Sequence, residues 1–144
     1  MKSTDPTKKL LHSGAVIVAT IYATEKSSSA QQHKQAITAT ANLLIDTGAN
    51  ISGLDKKIIH HTGLIAYPAS ELVDGVGGLQ VVSRYKAYLQ IPSVNSNLMS
   101  VDLLEGDFSY SPYDGIIGRD VLQYFHFEYD GINNRFQLSA KASR

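Results

Sequence analysis

The chain contains no cysteine and no tryptophan, only four prolines, and no excess of charge of either sign. Without cysteine, the protein can form neither a disulfide framework nor a thiolate that acts as a nucleophile or metal ligand. Lysine plus arginine and aspartate plus glutamate both number 13, so no net charge favours nucleic acid or an anionic membrane surface. The length of 144 residues suits one domain with a substantial core. We therefore predict a single domain over residues 1–144, with a polar tail at about residues 1–9.

Long hydrophobic runs are also missing. The stretch Ala15 to Ala19 follows Lys8 and Lys9, as in the start of a signal peptide, but Thr20 and Tyr22 interrupt it. It is rich in β-branched residues and too short to span a bilayer. A strand is the favoured interpretation, with a signal or anchor as the alternative. We expect a cytoplasmic protein with no membrane partner.

The hydrophobic pattern predicts strands over most of the chain. Apolar residues of one parity in Leu79–Ile91 indicate a half-buried strand, and alternation over Phe125–Leu138 indicates a closing β-hairpin. Arg119–Tyr124 is predicted as a short helix, whereas Asp55–His61 has only a weak helical pattern. The polar segment Glu25–Gln35 is expected to be an exposed, mobile connection. The predicted fold class is all-β with one short C-terminal helix.

Three motifs stand in a fixed order along the chain. Asp46-Thr47-Gly48 follows the apolar run Ala41–Ile45, and a carboxylate at the end of a buried strand costs free energy unless chemistry uses it. Asp74–Leu79 has the composition of a glycine-rich hairpin tip, and in Gly115–Asp120 an apolar pair runs into glycine. Alone, the first motif could be an ordinary Asx-type turn and the second an ordinary loop. Together they favour a catalytic carboxylate.

This ordered set resembles the retroviral-type aspartic proteases, the retropepsins, including their single-domain cellular and bacterial relatives. The resemblance covers about residues 41–122. It implies a retropepsin-like acid protease fold, with a closed barrel-like body, a flap hairpin and a short C-terminal helix. It also implies a homodimer in which each subunit donates one Asp46, because the chain carries a single Asp-Thr-Gly motif. The terminal strands in Phe125–Leu138 would form much of the dimer interface.

The mechanism that the resemblance implies uses two carboxylates and a water molecule. Two carboxylates about 3 Å apart cannot both ionise easily, so the pair holds one proton. One Asp46 acts as general base on the water, while the other donates a hydrogen bond to the scissile carbonyl oxygen. No cofactor, metal or covalent intermediate is required. We predict an endopeptidase acting on extended peptides with apolar residues beside the scissile bond.

The resemblance also assigns roles to the neighbours of Asp46. Thr47 would hydrogen-bond across the dimer axis, and Gly48 would let the substrate backbone approach. Gly118 and Arg119 are expected to support the site. Many viral members carry a second Asp at the position of Asn50, paired with the arginine that Arg119 matches, and Asn50 could still accept a hydrogen bond from it. The predicted substrate contacts are Ala49, Asn50, Val73, Asp74, Gly75, Val76, Gly77, Gly78, Ile116 and Ile117, the last two either packing below the turn or forming an apolar wall.

Other functions remain open at this stage. The chain could be a non-catalytic peptide-binding or dimerisation module that retains the protease fold. It could also be a processing domain of a larger polyprotein, although we expect a free-standing protein. A metal site is not predicted, because the adjacent His60 and His61 point in different directions on a helix or strand.

Overall fold

The computed structural model describes residues 10–23, 37–75 and 77–140. The polar tail and the connection Glu25–Gln35 lie outside these residues. The described strands are β1 (Val16–Tyr22), β2 (Ile37–Ile45), β3 (Gly53–Asp55), β4 (Ile65–Ala66), β5 (Glu71–Gly75), β6 (Gly78–Val82), β7 (Arg84–Ile91), β8 (Asn95–Gly106), β9 (Gly115–Ile117), β10 (Phe125–Asp130) and β11 (Arg135–Ala140). The described helices are α1 (Leu10–Ser13), α2 (Lys56–Thr62) and α3 (Arg119–Leu122).

Six strands close into a barrel in the order β1-β2-β9-β3-β8-β7 and back to β1. One edge of β7 pairs with β8, and its other edge pairs first with β4 and then with β1. Most neighbours are antiparallel, but β9 runs parallel to β2 and β3 runs parallel to β8. The prediction of a mostly β fold with a closed barrel is confirmed.

The barrel interior is filled by alternate side chains of its strands, as the two-residue period of a strand requires. On β7 the predicted parity is confirmed, because Ala87, Leu89 and Ile91 are fully buried. The same prediction is wrong for the preceding segment, where Leu79 and Val81 are 67% and 72% exposed. The chain leaves the strand conformation at Ser83, and β6 pairs with β5 in a separate two-stranded sheet. Those side chains therefore never reach the barrel core.

The predicted short C-terminal helix is present as α3, and the weak helical pattern at Asp55–His61 corresponds to α2. Hydrophobic periodicity hardly shows α2, which is defined by its caps. Helix α2 begins after Asp55, whose carboxylate accepts a hydrogen bond from Lys57 N at 2.9 Å. It ends at Gly63, which adopts a left-handed φ of 70°. Only Ile59 and Thr62 of its seven residues are buried. A helix this short has too few core contacts to produce a clear apolar period.

The predicted C-terminal hairpin is present as β10 and β11, paired antiparallel from Phe125 with Ala140 to Asp130 with Arg135. One face of the hairpin packs on the barrel core, where the rings of Phe127 and Phe136 meet edge to face at 6.4 Å. The other face, which carries His126, is exposed. Within the described residues, no helix has the length and apolar character needed to cross a membrane.

Candidate active site

Residues 46–50 form a turn, called the Asp46 turn below, at the point where β2 ends beside its parallel neighbour β9. Asp46 N donates a hydrogen bond to Ile117 O at 2.9 Å, and Ala49 N donates to Asp46 O at 3.2 Å. Gly48 N donates to Asp46 Oδ1 at 2.9 Å. No hydrogen bond to Asp46 Oδ2 occurs within the described part of the chain. The turn therefore orients the carboxylate through Oδ1.

Exposure differs sharply along this turn. Ile45 is buried at the end of β2, Asp46 is half-buried, and Thr47 and Gly48 are exposed. The chain thus carries a single carboxylate from the buried barrel to an exposed tip.

The segment after β9 supports the turn from below. Arg119 N donates to Ala49 O at 2.8 Å, and Arg119 Nη1 donates to Thr47 O at 2.7 Å. The guanidinium thus holds the carbonyl of Thr47 instead of the predicted side chain of Asn50. At Gly118 a Cβ atom would lie 2.9 Å from Ala49 O, closer than real Cβ contacts, so only glycine allows this approach.

Ser52 and Asp120 form a buried link that the motifs did not predict. Ser52 is fully buried, and its hydroxyl accepts a hydrogen bond from Gly118 N at 3.0 Å while donating to Asp120 Oδ1 at 2.7 Å. Ser52 N donates to Asp120 Oδ2 at 3.0 Å, and Val121 N donates to Asp120 Oδ1 at 3.0 Å. One carboxylate therefore joins the start of α3 to the strand after the Asp46 turn. In the sequence, Asp120 gave only the weak signal of an acid at a helix start.

We expect Ser52→Ala to lower the free energy of unfolding by about 1–3 kcal/mol, because the buried Gly118 N loses its acceptor. Urea titration measures the change. Ser93→Ala is a matched control, since Ser93 lies exposed in the turn between β7 and β8. Equal stability losses in the two variants would contradict this account of the link.

A groove with a volume of about 190 Å³ lies between the β5–β6 hairpin and the barrel and is partly open to solvent. The hairpin contributes Val73, Gln80 and Val82, the segment before β3 contributes Ile51, and the barrel contributes Ile116 and Glu105 among others. Apart from Gln80 and Glu105, these six side chains are apolar. The groove can therefore hold apolar groups of a ligand close to the strand that follows the Asp46 turn.

No protein-family model matches the chain, and no curated protein sequence does so. Among solved structures, the EIAV protease complexed with the inhibitor HBY-793 is similar, with a TM-score of 0.54 and 20% sequence identity. The match covers 84% of this chain and 91% of that chain. The chain has a retropepsin-like fold. At this level of identity the similarity establishes the fold alone.

The retropepsin-like fold brings some of the predicted substrate contacts to the groove and leaves others away from it. Val73, Gly77, Gly78 and Ile116 line it. Of the apolar pair, Ile116 lines the groove, whereas Ile117 is fully buried in the core.

The other predicted contacts that the structure describes do not line the groove. Ala49 and Asn50 belong to the Asp46 turn itself. Asp74 is exposed and lies opposite Leu79 on the outer face of the hairpin, and Gly75 pairs with Gly78 at its end. Val76 lies outside the described residues.

The described residues contain no group of three or more histidine or acidic side chains arranged to hold a metal ion. His60 instead lies 3.8 Å from the carboxylate of Glu105.

Proposed function

We propose that the chain is an aspartic endopeptidase that works as a homodimer, with one Asp46 from each subunit. The observation that carries the proposal is the position of this carboxylate in an exposed turn, where a backbone hydrogen bond orients it. Gly48 N donates to one of its oxygens at 2.9 Å, the tip of the turn is exposed, and a largely apolar groove of a retropepsin-like fold begins at Ile51, just after the turn. An exposed carboxylate can meet a second copy, and a peptide in the groove would pass close to the turn.

The reaction needs the two copies of Asp46 to share one proton. The ionised copy takes a proton from a water molecule as the water oxygen attacks the scissile carbonyl carbon. The protonated copy donates a hydrogen bond to the carbonyl oxygen, which becomes part of a tetrahedral intermediate. When the C–N bond breaks, the amide nitrogen takes a proton from the pair. The carboxyl groups return to their shared state and no covalent enzyme intermediate forms.

The surface of the single chain suits a two-fold partner. Thr47 and Gly48 are exposed, so two turns can approach across a symmetry axis, as an isologous interface requires. Among the described strands, β10 and β11 pair only with each other. Their outer edges can therefore extend a sheet into a second copy. Tyr124 and Tyr129, 62% and 55% exposed, add apolar surface in the same region.

The β5–β6 hairpin is the proposed flap. It contributes one wall of the groove, and its end is formed by Gly75 paired with Gly78, which has φ 91°. Glycine adopts this left-handed conformation without steric cost. Closure of the hairpin over an extended peptide would exclude water from the reacting bond.

The test is the dependence of cleavage on protein concentration. We expect a diverse peptide mixture to be cleaved between about pH 4 and 7, with products identified by mass spectrometry. Below the dissociation constant of the dimer, the rate should fall with the square of the protein concentration. Sedimentation velocity on the same samples reports the dimer fraction. Cleavage proportional to concentration in samples that contain only monomer would contradict the proposal.

One observation favours a second candidate, a peptide-binding module without catalysis. The hairpin and the barrel of one chain already enclose a groove between them, and such a groove can bind a peptide before any dimer forms. Binding that persists without cleavage at protein concentrations where the dimer is fully formed would support this candidate.

A further inference from the structure

Phe108 is an aromatic side chain that lines the groove from the loop after β8. Its ring lies against Gly106, where a Cβ atom would be 2.8 Å from Phe108 Cε2. Its ring centroid lies 6.1 Å from that of Tyr113, with the planes tilted by 60°. The absent side chain at position 106 thus provides the space that the ring occupies. The ring remains half-buried, with part of it exposed.

The loop that carries Phe108 is held by its own hydrogen bonds. Ser109 N donates to Asp107 Oδ1 at 3.1 Å, and Ser111 N donates to Phe108 O at 3.0 Å. Hydrogen bonds from the Ser109 hydroxyl and amide lower the pKa of Asp107, so its carboxylate is charged. Lys56 Nζ lies 3.9 Å from that carboxylate. The ring is therefore presented by an ordered loop.

The groove has open space at its hairpin wall, where Gly78 carries no side chain. A Cβ atom at position 78 would have no neighbour within 4 Å. The groove volume of about 190 Å³ is larger than a cavity of about 150 Å³ that holds benzene, so one aromatic side chain fits beside the ring. A small side chain would leave the exposed part of the ring in water. A planar apolar group would cover it and gain the geometry-dependent attraction between aromatic rings.

We propose that Phe108 is a specificity-determining residue, which makes the groove select peptides with an aromatic side chain over those with a small one. The inference rests on the proposed function insofar as the bound peptide is a substrate. The preference itself is a property of the groove in one chain and can be measured without cleavage.

The experiment uses a randomised library of short extended peptides with two readouts. Wild type reports the residues enriched beside the cut bond, and Asp46→Asn reports the residues enriched among captured peptides. We expect aromatic residues to be enriched over alanine at one position. Phe108→Ala should reduce this enrichment about tenfold among the cut sites. Combined with Asp46→Asn, it should reduce the enrichment among captured peptides about tenfold as well.

Gly106→Ala keeps the aromatic residue but moves it, because the new Cβ meets the tip of the Phe108 side chain and not the backbone. It should reduce the enrichment to a similar extent, which separates the role of the ring from any unfolding caused by Phe108→Ala. Tyr110→Ala is the matched control, since Tyr110 lies in the same loop, is fully exposed and does not line the groove. It should leave the enrichment unchanged.

An aromatic preference that survives both Phe108→Ala and Gly106→Ala would overturn the inference while leaving proteolysis intact. Capture that depends on Phe108, without cleavage by wild type as a dimer, would support the inference and contradict the proposed function. The absence of both capture and cleavage would overturn both. These results distinguish a failure of the specificity proposal from a failure of the catalytic one.

Discussion

Asp46→Asn is expected to abolish peptide cleavage, lowering kcat/KM by about 10³-fold or more, because an amide cannot take a proton from the attacking water. The change is nearly isosteric. The amide side chain of the variant would still offer an oxygen to Gly48 N, which in wild type donates to Asp46 Oδ1 at 2.9 Å. The turn should therefore keep its shape while the chemistry stops. Rates on a peptide that wild type cleaves give the ratio directly.

Asp102→Asn is a suitable control for this loss, since it removes the same charge from a residue that lines no part of the groove. The Asp102 carboxylate accepts from Tyr67 Oη at 2.7 Å and lies 3.7 Å from Arg84 Nη1. Such partly exposed contacts contribute little to stability, so kcat/KM should stay within about twofold. If Asp46→Asn behaved like this control, the aspartic mechanism would be wrong.

Gly115→Ala should lower the free energy of unfolding by about 3 kcal/mol or more. A Cβ atom at this position would collide with Gly53 O and lie 3.0 Å from both Leu43 Cδ2 and Leu54 Cα. Two of these atoms belong to the backbone of β3, which pairs with β9 at this point. The strands can yield only by separating next to the Asp46 turn.

Urea unfolding of Gly115→Ala and Gly131→Ala makes the comparison. Gly131 lies in the exposed turn between β10 and β11, where a Cβ would meet only the Tyr129 ring at 3.3 Å. We expect a loss below about 1 kcal/mol there, because a surface side chain can move aside. A tolerated Gly115→Ala, with stability equal to that of Gly131→Ala, would contradict the close packing of β9 on β3.

Much of the fold follows from local patterns in the sequence. The alternation over β7 and over the terminal hairpin predicts which residues face the core, because strand side chains change face at every step. The meeting of the Asp46 turn with Gly118 also follows, through the resemblance that the ordered motifs support. Both features depend on short segments whose composition directly reflects their surroundings.

Other features depend on contacts between segments that no local pattern encodes. Leu79 and Val81 alternate like core residues, yet the break at Ser83 places them on the outer hairpin. The bonds from Ser52 to Asp120 join positions 68 apart in sequence. The Phe108 ring packs in the space that a side chain at position 106 would otherwise fill. These arrangements are set by tertiary packing, and a single sequence contains little trace of them.

The most direct test of the shared active site is to mix wild type with Asp46→Asn at a constant total concentration, well above the dimer dissociation constant. Once subunits have exchanged, only dimers with two intact carboxyl groups should cleave the peptide. The rate is then expected to fall as the square of the wild-type fraction. A rate that falls in direct proportion to that fraction would mean that each chain acts alone, and would contradict the proposed dimeric aspartic protease.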